Sequence, residues 1–457
     1  MKLSKLAVPV VITVGLLIAF GFVLRGVLHR REAGKQAEPQ FSAANGLATP
    51  ADSRIQVAQQ AIAQSPNKPE GYNQLASAFM QKARETGDFG FNARAEGALI
   101  RSQEVEPENY DSIKLRAKLL LTYHRFAEAL EVARRAQALR PDDHDNYGAI
   151  TDALVELGNY PAAIESAQKM VDLRPDSASY ARVSYLRSLH GDGEGAIEAM
   201  KVAVKAANPK DPEGAAWCRV HLGDELMNTG KRREAEQEYD NALYLFPDYP
   251  IALAAKARAR VAANDLQQAI GFYERAQTRV PMPDTAIALG DLYARLGRAD
   301  DAKRQYELVE FIERNSAAGG TYSRQLALFW ADHDQKLDEA LAIAQKERST
   351  REDIYTCDAL AWVLFKNNRL DEAKKSIEEA LRLGTRDARL YYHAGMIYDG
   401  LGDRQKATRY LSLALKTNPN FDVLQTDLAK KSLDALKTGS GRTPDSSVSA
   451  AVMSRGE

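Results

Sequence analysis

Apolar positions fall into two regimes along the chain. Residues 6–24 form a nineteen-residue stretch without a charge, flanked by Lys2 and Lys5 before and by Arg25, Arg30 and Arg31 after. At about 1.5 Å per residue such a stretch nearly crosses a bilayer core, which predicts one transmembrane helix within residues 1–31. A cleaved leader has a shorter apolar core and a small-x-small site. Ala19-Phe20-Gly21 is a poor site inside the run, so an uncleaved anchor is the reading. Residues 32–50 follow as a Gly/Ala/Pro-containing linker. Beyond them no run alternates Val, Ile and Thr as a strand would. Ala, Leu, Glu, Lys and Arg dominate instead, and all favour helix.

The helical part is periodic. Pro107, Pro141, Pro175 and Pro209 are evenly spaced, and Pro247 and Pro281 keep the same step. Thr385 stands one such step before Pro419, where another proline is expected. A second ladder consists of Ala95, Ala129, Ala163, Ala196, Ala235, Ala269, Ala302, Ala340, Ala373 and Ala407. It holds the proline step to within one position, except before Ala235 and Ala340. A fixed period of this size marks a stack of supersecondary units. One unit cannot bury its own apolar face, so neighbours must cover it. The turn proline ends a helix because it lacks the N–H that a helix interior needs.

With Gly395, Tyr398, Gly402, Ala407, Tyr410, Ala414 and Pro419 in one unit, the pattern resembles the tetratricopeptide repeat (TPR) family. Leu222, Gly223, Leu226, Gly230, Ala235, Tyr239, Ala242 and Pro247 repeat it in another. The resemblance implies an all-α, right-handed superhelical solenoid of about ten helix-turn-helix units, preceded here by the transmembrane helix. The expected divisions are a capping helix at 51–68, a first block of units at 69–314, a second at 315–420, a capping helix at 421–437 and a disordered tail at 438–457. Period breaks at residues 82–91, 208–215 and 314–321 read as insertions.

Composition and motifs exclude more than they suggest. The chain has 61 basic and 62 acidic residues and no basic block, so no nucleic-acid footprint is expected. Cys218 and Cys357 are far apart in the repeat register and read as packing residues. The seven histidines form no pair at metal-ligand spacing. Gly191-Asp192-Gly193-Glu194-Gly195 has the wrong spacing and context for a phosphate loop. Asp142-Asp143, Asp300-Asp301 and Glu378-Glu379 are read as solvated faces. No catalytic group, cofactor or small-molecule substrate is expected, and the chain is read as not an enzyme.

The resemblance implies that the first helix of each unit lines a concave, protein-binding face. In the N-terminal half this face offers Lys114, Lys118 and Arg182 among charged residues of both signs. In the C-terminal half it offers Tyr322, Phe329, Tyr355, Trp362, Phe365, Tyr392 and Met396, the residue types that protein contacts favour. The functional expectation is a membrane-tethered scaffold that positions partner proteins or peptides at the cell envelope. The folded part is placed outside the cytoplasm, as in the periplasm. The alternative is a cytoplasm-facing adaptor of a membrane enzyme or assembly.

Overall fold

The computed structural model describes residues 49–316 and 323–438. The expected anchor, most of the linker, the tail and Tyr322 lie outside these residues. Among the described residues there are twenty-two helices and no strand, and no helix is long and apolar enough to cross a membrane.

Helix α1 (Pro50–Gln64) precedes ten hairpins. The first four pair α2 (Pro69–Thr86) with α3 (Gly90–Val105), α4 (Tyr110–Thr122) with α5 (Phe126–Leu139), α6 (His144–Glu156) with α7 (Tyr160–Leu173), and α8 (Ser177–Leu189) with α9 (Gly193–Ala206). The next three pair α10 (Pro212–Asn228) with α11 (Arg232–Leu245), α12 (Pro250–Ala262) with α13 (Leu266–Arg279), and α14 (Pro283–Arg295) with α15 (Ala299–Ser316). The last three pair α16 (Arg324–Asp332) with α17 (Leu337–Thr350), α18 (Ile354–Lys366) with α19 (Leu370–Ala380), and α20 (Ala388–Gly400) with α21 (Arg404–Thr417). Helix α22 (Gln425–Thr438) covers the end of the stack with Ala429 and Leu433, while Lys430, Lys431 and Lys437 face solvent.

The alanine ladder is the crossing point of each hairpin. Nine of its ten residues have no exposed surface and Ala302 retains 4 %. A larger side chain there would force the two helices apart, at a cost of about 1–3 kcal/mol. The facing residue is also small where the partner is large. A Cβ on Gly223 would lie 2.3 Å from the Tyr239 ring.

All ten hairpin turns contain a residue in the left-handed region: Gly87, His124, Gly158, Gly191, Gly230, Asn264, Gly297, Asp334, Asn368 and Gly402, with Lys336 a second one in the turn of Asp334. From the second hairpin onward, the following N–H reaches back five residues, as from Arg125 to the Leu120 carbonyl at 2.9 Å. This closure satisfies carbonyls that the helix end would otherwise leave bare. Second helices start on Asn or Asp caps in several units, with Asp192 accepting from the Gly195 N–H and Asp403 from the Lys406 N–H.

The stack also curls back on itself. Glu352 donates its N–H to the Glu156 carbonyl at 2.9 Å, and Ile354 donates to the Tyr160 hydroxyl at 3.0 Å. The Thr385 hydroxyl donates to the Leu189 carbonyl, 196 residues away in sequence. Further along, Arg84 meets Glu213 at 3.3 Å and the Asn420 amide meets the Ala262 carbonyl at 3.1 Å. The turns of α6/α7 and α8/α9 thus press on the segments that precede α18 and α20. Such contacts are absent from a nearest-neighbour stack and confine the inner face.

Candidate concave interaction face

The first helices carry the inner face, and its charged residues are largely matched to one another. Lys114 Nζ lies 2.9 Å from Asp143, and Lys118 Nζ 3.0 Å from Asp145. Arg182 grips Asp152 with Nε at 2.8 Å and Nη2 at 2.5 Å. Arg258 meets Asp224 at 3.0 Å. Each pair joins one hairpin to the next. Lys114, Lys118 and Arg182, expected as partner contacts, are therefore tied into the stack. They keep a polar edge to solvent, and pairs of this exposure stabilise by about 0–1 kcal/mol.

The expected aromatic strip is not an open surface. Phe329 and Trp362 are 2 % exposed, Tyr392 1 % and Met396 8 %. All four belong to the core between α16, α18, α20 and α22. The Trp362 ring lies 5.2 Å from Phe365, 5.5 Å from Tyr392 and 4.3 Å from His393, and its Nε1 donates to Asp332 at 2.7 Å. Phe421 covers Tyr392 at 5.3 Å. The physical reason is register. Consecutive first helices touch along one ridge of each helix, and the large side chains of the last hairpins fill that ridge instead of the groove beside it. Phe365 is half-buried against the same core. Tyr355 is also half-buried, but it borders the inner face.

Around Tyr355 the structure gathers groups that the sequence did not single out. Tyr185, three residues beyond Arg182 on the same face of α8, keeps 44 % of its surface exposed. It helps to line a small cavity of about 120 Å³ with Asp152, Glu156 and Arg182. Glu225 accepts from the Ser188 hydroxyl at 2.9 Å. The neighbouring Leu189 carbonyl holds Thr385, two residues before Asp387. Arg324 sits 6.0 Å from the Tyr355 ring centre. Burial raises the Tyr355 hydroxyl pKa well above its ordinary value, reinforced by Asp387, Tyr185 and Glu225 and opposed by Arg324. Burial likewise raises Asp387.

Burial also pushes Glu225 up to about 7, with Asp224 adding to the shift and the Ser188 hydrogen bond opposing it. The folded chain therefore holds this proton more tightly than the unfolded chain does. That stabilising contribution is complete below about pH 4 and is lost as pH rises to about 7. The Glu225→Gln variant is expected to show a flatter melting temperature across this window, and a higher one than the parent at neutral and alkaline pH. Parallel thermal melts across pH check this, and identical slopes would contradict it.

Among the described residues no cluster of His, Cys, Asp and Glu could hold a metal ion. Cys218 and Cys357 are free and buried, and burial raises the Cys218 thiol to about 11.

Comparison with known proteins bears on the repeat itself. A tetratricopeptide repeat profile matches residues 149–212 and 221–281, and a second one matches 354–383 and 388–421. No curated protein matches the chain. Among solved structures, the human IFIT1 dimer with m7Gppp-AAAA is similar at 16 % identity, covering 73 % of this chain and 76 % of that one, with a TM-score of 0.49. Yeast Tom70 is similar at 15 % identity over 85 % of this chain and 93 % of that one, TM-score 0.38. The type IV pilus biogenesis factor PilW is similar at 19 % identity over 48 % and 96 %, TM-score 0.37. Together with the buried alanine ladder and the hairpin turns, the profile matches place this chain in the tetratricopeptide repeat family.

Proposed function

We propose that the chain is a membrane-tethered scaffold whose inner face binds a segment of a partner protein. TPR proteins generally mediate protein–protein interaction, so the reading begins from the family. One observation carries it to a place on this molecule. Tyr185 is a large aromatic side chain left 44 % exposed on the inner face, beside the half-buried Tyr355, Glu225 and Asp387, while Phe329, Trp362 and Tyr392 are buried in the core. An aromatic anchor ringed by polar groups suits a polypeptide ligand.

A photo-crosslinking residue at Tyr185 in the full chain, in membranes, tests this. The expected result is a covalent adduct with a discrete protein set that is absent when the probe replaces Tyr244, 86 % exposed on α11. Equal capture from both positions would end the reading.

The tether is the uncharged stretch at residues 6–24. We place the folded part outside the cytoplasm, because a short N-terminal tail ordinarily stays inside. The charge balance of the flanks, Lys2 and Lys5 against Arg25, Arg30, Arg31 and Lys35, is nearly even and tilts the other way. A C-terminal reporter fusion that is active only in the cytoplasm would overturn this placement in favour of the adaptor reading.

A further inference from the structure

We infer that the contact between the turns at 156–160 and 189–191 and the segments at 351–354 and 384–385 is a latch that opens to give a partner access to the inner face. This rests on the reading of that face as the binding surface.

The contact is small and unusually polar for a joint between distant parts of one chain. Its centre is Arg351, whose side chain is 7 % exposed. Arg351 pairs with Glu156 across the joint, and with Asp353 at 3.0 Å and Glu347 at 3.6 Å on its own side. Its guanidinium also lies 4.9 Å from the centre of the Phe126 ring. Burial raises the carboxyl pKa of both Glu156 and Glu347 in spite of Arg351, which means that desolvation outweighs the pairing for both. Ion pairs of this kind contribute little net stability, because the cost of removing the charges from water offsets their attraction. His124, on the same side as Phe126, keeps an exposed edge, and desolvation together with Arg351 and Arg324 pushes its imidazole down to about 4.

Apolar contact at the joint is modest. It comes mainly from Ile354 and Leu383, beside Val155, Tyr160 and Leu186. The hydrogen bonds across it include the Thr385–Leu189, Glu352–Glu156 and Ile354–Tyr160 links. Parting them unfolds no hairpin, since each hairpin is stabilised by its immediate neighbours in the stack. The joint is therefore a cooperative unit of its own, with a low opening cost.

Closure has been made geometrically possible by two glycines. Gly158 and Gly191 have φ of +72° and +74°, and a Cβ on them would stand 2.6 Å and 2.5 Å from the carbonyl oxygens of Glu352 and Gly384. Turns elsewhere in the stack, such as Gly230, have the same backbone and open space around it.

The test uses the full chain with Tyr185→Cys as the reporter, read by its rate of reaction with a polymer-bearing maleimide. The native cysteines are buried. Adding Arg351→Glu or, separately, Thr385→Ala is expected to raise the rate about tenfold with the helical circular dichroism retained. Two variants are used because reversing a buried charge can unfold its surroundings, while the threonine change removes only one hydroxyl and one methyl group. The latch is refuted if a folded variant labels at the parent rate. It is equally refuted if the parent already labels as fast as a Tyr244→Cys control. No partner takes part in this measurement. A positive result here with no crosslink at Tyr185 would retain the latch and reject only the binding reading.

Discussion

Gly191→Ala is expected to destabilise the chain by more than Gly230→Ala does, and to loosen the joint between the distant segments. Both glycines have positive φ, +74° and +81°. Alanine in that conformation costs about 1–2 kcal/mol at either position. Only at Gly191 does the new methyl meet another part of the chain, 2.5 Å from the Gly384 carbonyl oxygen. Carbon and oxygen cannot approach so closely, and both atoms belong to backbone-anchored positions that cannot swing aside. Relief comes from parting the two segments, which also removes the Thr385–Leu189 hydrogen bond nearby. A further loss of about 1–3 kcal/mol follows at this site. Urea denaturation of both variants measures the difference. Equal losses would show that Gly191 serves only its turn.

The second large effect is expected for Trp362→Ala. Its indole fills the core of the last three hairpins at 2 % exposure and is stacked on His393, with interplanar angle 13°. Truncating a buried tryptophan typically costs about 3–5 kcal/mol through lost contacts and the cavity left behind. One further loss belongs to this site. Asp332 accepts from Trp362 Nε1 at 2.7 Å and from the Gln425 side chain, so the variant removes a donor from a carboxylate that joins α16 to α18 and α22. Trp362→Phe is expected to recover most of the packing and none of that hydrogen bond. Chemical denaturation is the measurement, and a Trp362→Ala protein within about 0.5 kcal/mol of the parent would contradict the burial. Any loss of partner binding by this variant would then report damage to the core.

The repeat was legible in sequence because its cause is local. Wherever two helices cross closely, only a small side chain fits, and ten alanines recur for that one reason. The turns were half legible. Gly230 and Gly402 announce a left-handed residue, whereas His124, Asn264, Asp334 and Asn368 take the same conformation with residue types that favour it less strongly than glycine does. The inner face was poorly legible for two reasons. Its lining depends on helix rotation to within one residue, and α16 is only nine residues long, which leaves little periodic signal after an insertion. Tyr185 stands one position before Leu186, the residue that the repeat step aligns with Lys118 of the expected face. The joint was not legible at all, since the spacing of the alanine ladder speaks only of neighbours, whereas Tyr160 and Ile354 are 194 residues apart.

That separation has a consequence for the order in which the molecule is made. Each hairpin closes through contacts between nearby stretches of chain, which form quickly and one after another as the chain is synthesised. The turns at 156–160 and 189–191 emerge and fold long before residues 351–385 exist to meet them. For that interval, on the latch reading, the inner face of the first hairpins is an open trough, and a partner present where the chain emerges and folds meets no barrier. A partner that arrives later must first part the joint. The same pair of proteins is therefore expected to assemble faster when co-expressed than when mixed as finished chains.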